Sequence, residues 1–408
     1  MMETPFLQQR PRMRPVEAFA VRQGGETHIG LRDRSGLVSE ILLTTPPVLF
    51  VISQLDGETP LGTVAHRFAE KYGVLLSEED LRDILDSLDA YLFLDSRHFA
   101  QWLAEEKRKF SALPARPAVC AGSGYPAERE KLTESLARIL SSDGATSLKR
   151  RRPRGLIVPH IDYRRGAPCY AAGYGALSAA GPADTYVILG TNHFGGDRYY
   201  TATRLPFDTP LGRAEIDSRR LARIAAAYGD DLFNDEFDHA REHSVELAVV
   251  FLLHLFGSEK FRIVPILCGG FEMLGHRDLS PEQVDSVQTM VGVLRELVEE
   301  APGRVCLVAA ADLSHFGRHF GDEAPLSPDW TRQVEQNDRA ILAEAEAGRP
   351  ADFFDRLYAD GNRSRICSAA NLYTLLSALG RPGQLLHYHQ ALDEENQCAV
   401  TCAAMWFA

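Results

Sequence analysis

From residue 127 onward the sequence alternates between two periods, and no other feature limits the possible folds as strongly. AEREKLTESLARIL and PCYAAGYGAL read as helices, while GLIVPH, TYVILGTNH, FRIVPILCG and RVCLVAAAD are short apolar runs rich in aliphatic residues. Runs of that length without polar alternation are strands buried on both faces, and SPEQVDSVQTMVGVLRELVEE and SPDWTRQVEQNDRAILAEAEAG are long enough to cover them as helices. QLLHYHQAL and AVTCAAMWF supply two further strands. The expected class is α/β, a sheet with helices on its faces. No internal repeat, low-complexity tract or phosphate-cradling GxGxxG loop is present, which disfavours nucleotide chemistry.

At 408 residues the chain exceeds the ~250–300 residues that one core usually organises, so two domains are expected. Pro114 and Pro117 in PARPAV cannot extend the preceding helix and mark a linker, giving domains 1–114 and 115–408. An apolar fraction of 45% and a charged fraction of 25% are those of an ordinary folded protein. A net charge of -12 excludes a role built on phosphate backbones, so no nucleic acid partner is expected. No apolar run reaches the ~20 residues that span a bilayer, and MMETPFLQQRPRMRP lacks a secretory apolar core. The expectation is no membrane association and a cytoplasmic location. Seven cysteines without a CxxC pair suit reduced thiols.

The first domain begins with FAVRQGGETHIGLRD, where Gly24-Gly25 signals a tight hairpin. PPVLFVISQLDG reads as a short buried helix. Thr59 is the expected cap of a second helix with Pro60 at its first position, and Ser77 the cap of a third. YLFLDS reads as a strand and HFAQWLAEEKRKFSAL as an amphipathic helix. This order is similar to the PqqD-like winged-helix module, a precursor-peptide recognition element, and implies a small winged-helix-like α+β domain. In that family a leader peptide adds as a strand at the hairpin edge, so a peptide or protein substrate is the implied partner. A capping or dimerisation domain is the plainer alternative.

Residues able to bind metal or move protons stand where apolar strands end: His160 after GLIVP, His193 after YVILGTN, Asp312 and His315 after VCLVAAA. The carboxyl ends of strands in an α/β sheet converge on one crevice, so these residues can meet. One strand-end histidine is more often structural; several together point to a site. Cys367 precedes an apolar helix with Ser368 as the expected cap, a position that favours thiolate. The other six cysteines read as inert core thiols. DHAREHSVELAVVFLLHLFG reads as one helical segment that places His243 and Glu246 on a shared face. It is not an HExxH zinc helix, because Leu247 stands where the second histidine is required. His243 is read as a pocket residue.

VPHIDYRRG, LGTNHFGG, EHSVE, AADLSHFG and RICSAANLYTLL, in this order, resemble the successive motifs of the Memo family, whose bacterial members are often called AmmeMemoRadiSam system protein B. The resemblance covers nearly all of 115–408 and implies a mixed sheet flanked by helices, similar to class III extradiol dioxygenases. It implies a metal held by His160, His193 and Cys367, with Asp312, His315 and His243 as further pocket and catalytic residues. Asp162 stands where many members have a small residue, and Ser368 where many have glycine. Two imidazoles and an anionic ligand suit Fe(II), while thiolate also suits copper or zinc. The implied function is a non-haem, metal-dependent oxidoreductase of dioxygenase-like type acting on a peptide recruited by the first domain. The alternatives are a peptide- or metal-binding adaptor and a zinc-dependent hydrolase. The AMMECR1-like and radical SAM proteins of the three-protein bacterial system are further implied partners.

Overall fold

The computed structural model describes residues 5–23, 26–141, 152–195, 198–277, 279–300 and 304–408. The chain forms two compact units, Met1–Ala112 and Leu113–Ala408.

In the first unit β1 (Val16–Gln23) pairs antiparallel with β2 (Glu26–Asp33), and β2 with β3 (Leu42–Thr44). The Gly24-Gly25 turn lies outside the described residues, but Gln23 stands opposite Glu26 as a tight hairpin requires. Helices α1 (Pro46–Ile52), α2 (Leu61–Tyr72), α3 (Glu78–Ala90) and α4 (Arg97–Ser111) follow. They close a core around Leu31, Val51, Leu61, Val64, Leu81 and Phe93. Ser77 caps α3 with Asp80 returning the bond, which satisfies two N–H groups at the helix start. Two expectations need correction. Thr59 does not cap α2: Pro60 occupies that position with an extended backbone, and the Thr59 hydroxyl donates to Asp56 at 2.9 Å instead. YLFLDS is no strand, because Leu92 takes a positive φ of 58° and only Leu94 bridges to Met13.

The second unit contains α5 (Arg129–Leu140), β4 (Gly155–Val158), α6 (Ala167–Ala180), β5 (Thr185–Thr191), β6 (Tyr200–Ala202), β7 (Phe207–Thr209), β8 (Gly212–Ala214), α7 (Ser218–Tyr228) and α8 (Ser244–Phe256). It continues with β9 (Arg262–Cys268), α9 (Phe271–His276), α10 (Asp285–Glu300), β10 (Val305–Ala310) and β11 (Asp312–Gly317). It ends with α11 (Pro328–Glu346), α12 (Pro350–Tyr358), α13 (Ala369–Leu379), β12 (Gln384–Asp393) and β13 (Cys398–Phe407). Among the described residues an eight-stranded sheet runs β11-β13-β4-β10-β5-β9-β6, with β12 on the other side of β13. β4, β10, β5 and β9 are mutually parallel, while β6, β11, β12 and β13 run antiparallel to their neighbours, so the sheet is mixed as expected.

Alternate residues of the central strands enter different cores. Ile157, Val187, Leu189, Leu307 and Ala309 pack with α10 and α13, whereas Leu156, Val158, Ile188, Cys306 and Val308 pack with α6 and α8. Both faces are covered, which is why these strands carry no polar alternation. The PARPAV segment is no free linker: Arg116 is fully buried, donating to the carbonyls of Pro117, His239 and Glu242 and pairing with Glu246. β11 was not expected from the sequence. Asp312 pairs with Cys402 but His315 with Val400, so a bulge interrupts the strand and its period of two.

Candidate metal centre

β10 lies between β4 and β5, and these three strands point their carboxyl ends the same way. His160, His193 and Asp312 each stand two residues beyond a strand end, which brings them to one crevice. The β11 bulge then matters for His315. Residues three apart on a regular strand face opposite sides, yet Asp312 and His315 both line the same cavity. That cavity has a volume of about 670 Å3 and includes His160, His193 and His243 in its wall.

His160, His193 and His243 each offer a ligand atom, and these atoms lie within 4.8 Å of one another. Cys367 Sγ is 3.5 Å from His160 Nε2. Hydrogen bonds fix the tautomers. His160 Nδ1 is 2.9 Å from the Ala310 carbonyl, which can only accept, so Nδ1 always carries a proton, and Nε2, 3.5 Å from both the Cys367 thiol and Asp312, is the nitrogen that gains or releases one. His193 Nδ1 donates to the Glu242 carboxylate at 3.0 Å, with the same result for its Nε2. His315 Nδ1 donates to the Leu313 carbonyl at 3.0 Å, leaving Nε2 free to take a proton.

The charges around these rings shift their protonation. Burial lowers the basicity of His160, but the charges of Asp312 and Cys367 outweigh it and raise its pKa to about 9. His193 behaves alike: burial opposes its protonation, while hydrogen bonds to Cys367 and Glu242 carry it well above the ordinary value. His243 goes the other way, pulled to about 4 by burial against the attraction of Glu242. Burial pushes the Cys367 thiol up, yet His160 and His193 hold it well below its usual range. The imidazoles therefore favour thiolate. Ser368 does sit at the cap position, but its hydroxyl accepts from the Asp312 N–H at 3.1 Å and caps nothing. Two imidazole lone pairs beside a thiolate, with a third imidazole in reach, fit a metal ion, whose binding would displace the protons held there.

The helix begins later than expected: α8 starts at Ser244, with His243 as its cap residue in helical backbone. His243 and Glu246 nevertheless have different partners, since His243 lines the cavity beside Glu242. Glu246 is fully buried and accepts from the Val119 and Cys120 N–H groups, the Tyr125 hydroxyl and Arg116. Sequence reasoning missed Glu242, which is buried and accepts from the His193 backbone and ring and from the Ser244 N–H. Its charge is stabilised against burial by His193 and His243. The available signal was a break in composition, from the charge-dense DEFDHARE to an apolar run, where the helix begins. Asn371 was also missed; its amide donates to the Ala310 carbonyl at 2.7 Å and ties α13 to β10 below the site. His239 stays outside the cluster, buried against the Thr201 carbonyl with its pKa lowered to about 3 by burial. Asp162 lines the cavity and pairs with Arg165. Among the described residues no helix is long and apolar enough to cross a membrane.

A family model described as Memo-like protein matches residues 116–406. The MEMO1 family protein of Aquifex aeolicus is 26% identical over 400 residues, covering 97% of this chain and 100% of the relative. The MEMO1 family protein TTHA0924 of Thermus thermophilus is 30% identical over 350 residues, covering 85% of this chain and 98% of the relative. MK0963 of Methanopyrus kandleri, also a MEMO1 family protein, is 32% identical over 218 residues, covering 50% of this chain and 69% of the relative.

Proposed function

The chain belongs to the Memo family, and from that premise we propose that it is a metal-dependent oxidoreductase of dioxygenase-like type, with iron(II) as its ion. The observation that carries this reading is the meeting of three imidazoles within 4.8 Å, with the Cys367 thiol 3.5 Å from one of them, in the wall of a cavity of about 670 Å3. A cavity of that size accommodates an organic substrate. His160, His193 and Cys367 would hold the ion, and iron bound there would supply Lewis acidity and one-electron chemistry. Glu242 and the Ala310 carbonyl orient the two imidazoles through their Nδ1 protons. His315 Nε2 takes a proton from a substrate hydroxyl in the cavity. Asp312 accepts from the His160 N–H at 3.0 Å and holds that loop in place. The first unit recruits a peptide or protein substrate along its three-stranded sheet.

Anaerobic loading of the full chain with iron(II), followed by dioxygen uptake and mass analysis of added peptides, tests this. Uptake that requires iron and is lost in His315→Ala supports it; turnover by the metal-free protein sinks it. A second reading is favoured by His243, since three imidazoles suit zinc with a bound water and hence hydrolysis. Metal analysis of protein produced with iron and zinc both in excess separates the two.

A further inference from the structure

His193 borders two cavities. The larger, of about 670 Å3, also holds His160, His243 and His315 in its wall, and lies within the ~300–1,000 Å3 range that takes organic ligands. The smaller, of about 210 Å3, falls below that range and is bounded by His193, Cys367, Tyr358 and the Gly269-Gly270 and Ala369-Ala370 pairs. Cys367 lines the smaller cavity and is absent from the described wall of the larger.

The small space has a cause in the sequence. Five of its wall positions carry no side chain or a single methyl: Gly195, the Gly269-Gly270 pair before α9, and Ala369 and Ala370 in the first turn of α13. Gly270 has a φ of 74°, which side chains disfavour, and a Cβ there would also crowd the Arg198 carbonyl at 3.3 Å, so glycine serves the turn. The Tyr358 side chain closes this wall, with its hydroxyl turned away from any accessible space.

We infer that the site has two separate approaches. An organic substrate occupies the large cavity and meets the three imidazoles, while only a small molecule, of about five heavy atoms or fewer, reaches Cys367 and His193 through the small one. That the small molecule is dioxygen rests on the function proposed above; the existence of the second approach does not.

Cys268 and Cys367 line the small cavity and Cys120 and Cys398 the large one, and of these the less buried Cys367 and Cys120 serve as reporters. In the metal-free full chain, iodoacetamide labelling is followed at each cysteine by peptide mass spectrometry. Ala370→Leu fills the small cavity and is expected to slow Cys367 by about tenfold, leaving Cys120 at its original rate. Ser123→Trp, in the wall of the large cavity, is expected to do the reverse. The inference is overturned if Ala370→Leu leaves Cys367 unaffected, or if Ser123→Trp slows it as strongly. A comparison on the unaltered chain needs no folded variant. Replacing iodoacetamide by a fluorescein maleimide should penalise Cys367 at least about tenfold more than Cys120, and equal penalties overturn the inference. Labelling as expected without dioxygen uptake on iron loading removes the oxidoreductase reading and leaves the two approaches standing.

Discussion

Two buried polar clusters adjoin in the second unit through Glu242, and they differ in what they leave unused. In the Arg116–Glu246 cluster the guanidinium reaches three carbonyls and the carboxylate, and that carboxylate also accepts from Tyr125 and two backbone N–H groups. Its capacity is spent within the protein. In the imidazole cluster His160 and His193 each commit Nδ1 to a protein acceptor and keep Nε2 for the thiol or for an ion. Burial and charge do not separate a structural polar cluster from a functional one here; spare lone pairs do.

That contrast can be broken by substitution, starting where the effect is largest. Glu246→Ala leaves Arg116 buried without its carboxylate, and unfolding free energy should fall by about 3–5 kcal/mol, read from the urea midpoint. A loss under about 1 kcal/mol would erase the distinction between the clusters. Glu242→Gln keeps the shape but removes the charge that orients His193. Cobalt(II) affinity, followed by absorption, should drop ~10–100-fold.

A weaker effect is expected from pH on the metal-free protein. The folded pKa of His160, about 9, lies above its unfolded value of ~6.5, so its stabilisation is complete below the lower figure and is lost as pH rises through the higher. Between about pH 7 and about pH 10 the wild type should lose more thermal stability than His160→Gln, and parallel curves would refute the assignment. The smallest effect lies outside both clusters. Ser77→Ala removes the α3 cap and should cost about 1 kcal/mol, setting the scale of an ordinary local bond.

The sequence revealed these parts unevenly, for physical reasons. His160 and His193 follow apolar runs, and a strand end is a local signal. Cys367 gained its partners only through family resemblance, because no local pattern says which imidazoles a thiol will meet. Arg116 and Glu246 are 130 residues apart, and neither segment alone indicates the pair. β11 escaped detection because its bulge removes the alternation by which a strand is recognised. Glu242 is hidden because the residues before Ser244 read as part of the same helix, whereas Glu242 meets His193 and the Ser244 N–H from the turn that precedes it. The large sheet was legible throughout its centre and least legible at the three-residue β6, and the separate β7–β8 hairpin is equally short.

The pairing of β13 has a consequence for the order in which the molecule matures. β13 lies against β4, more than two hundred positions earlier in sequence, and against β11, which carries Asp312 and His315. A ribosome therefore delivers residues 160, 193 and 243 well before the strand that braces the rest of the crevice. Such distant pairings close slowly, because the loop entropy must be overcome before any contact offsets it. Histidines exposed during that interval are open to whatever ion is abundant, so an ion held there would reflect supply during synthesis as well as the finished ligands.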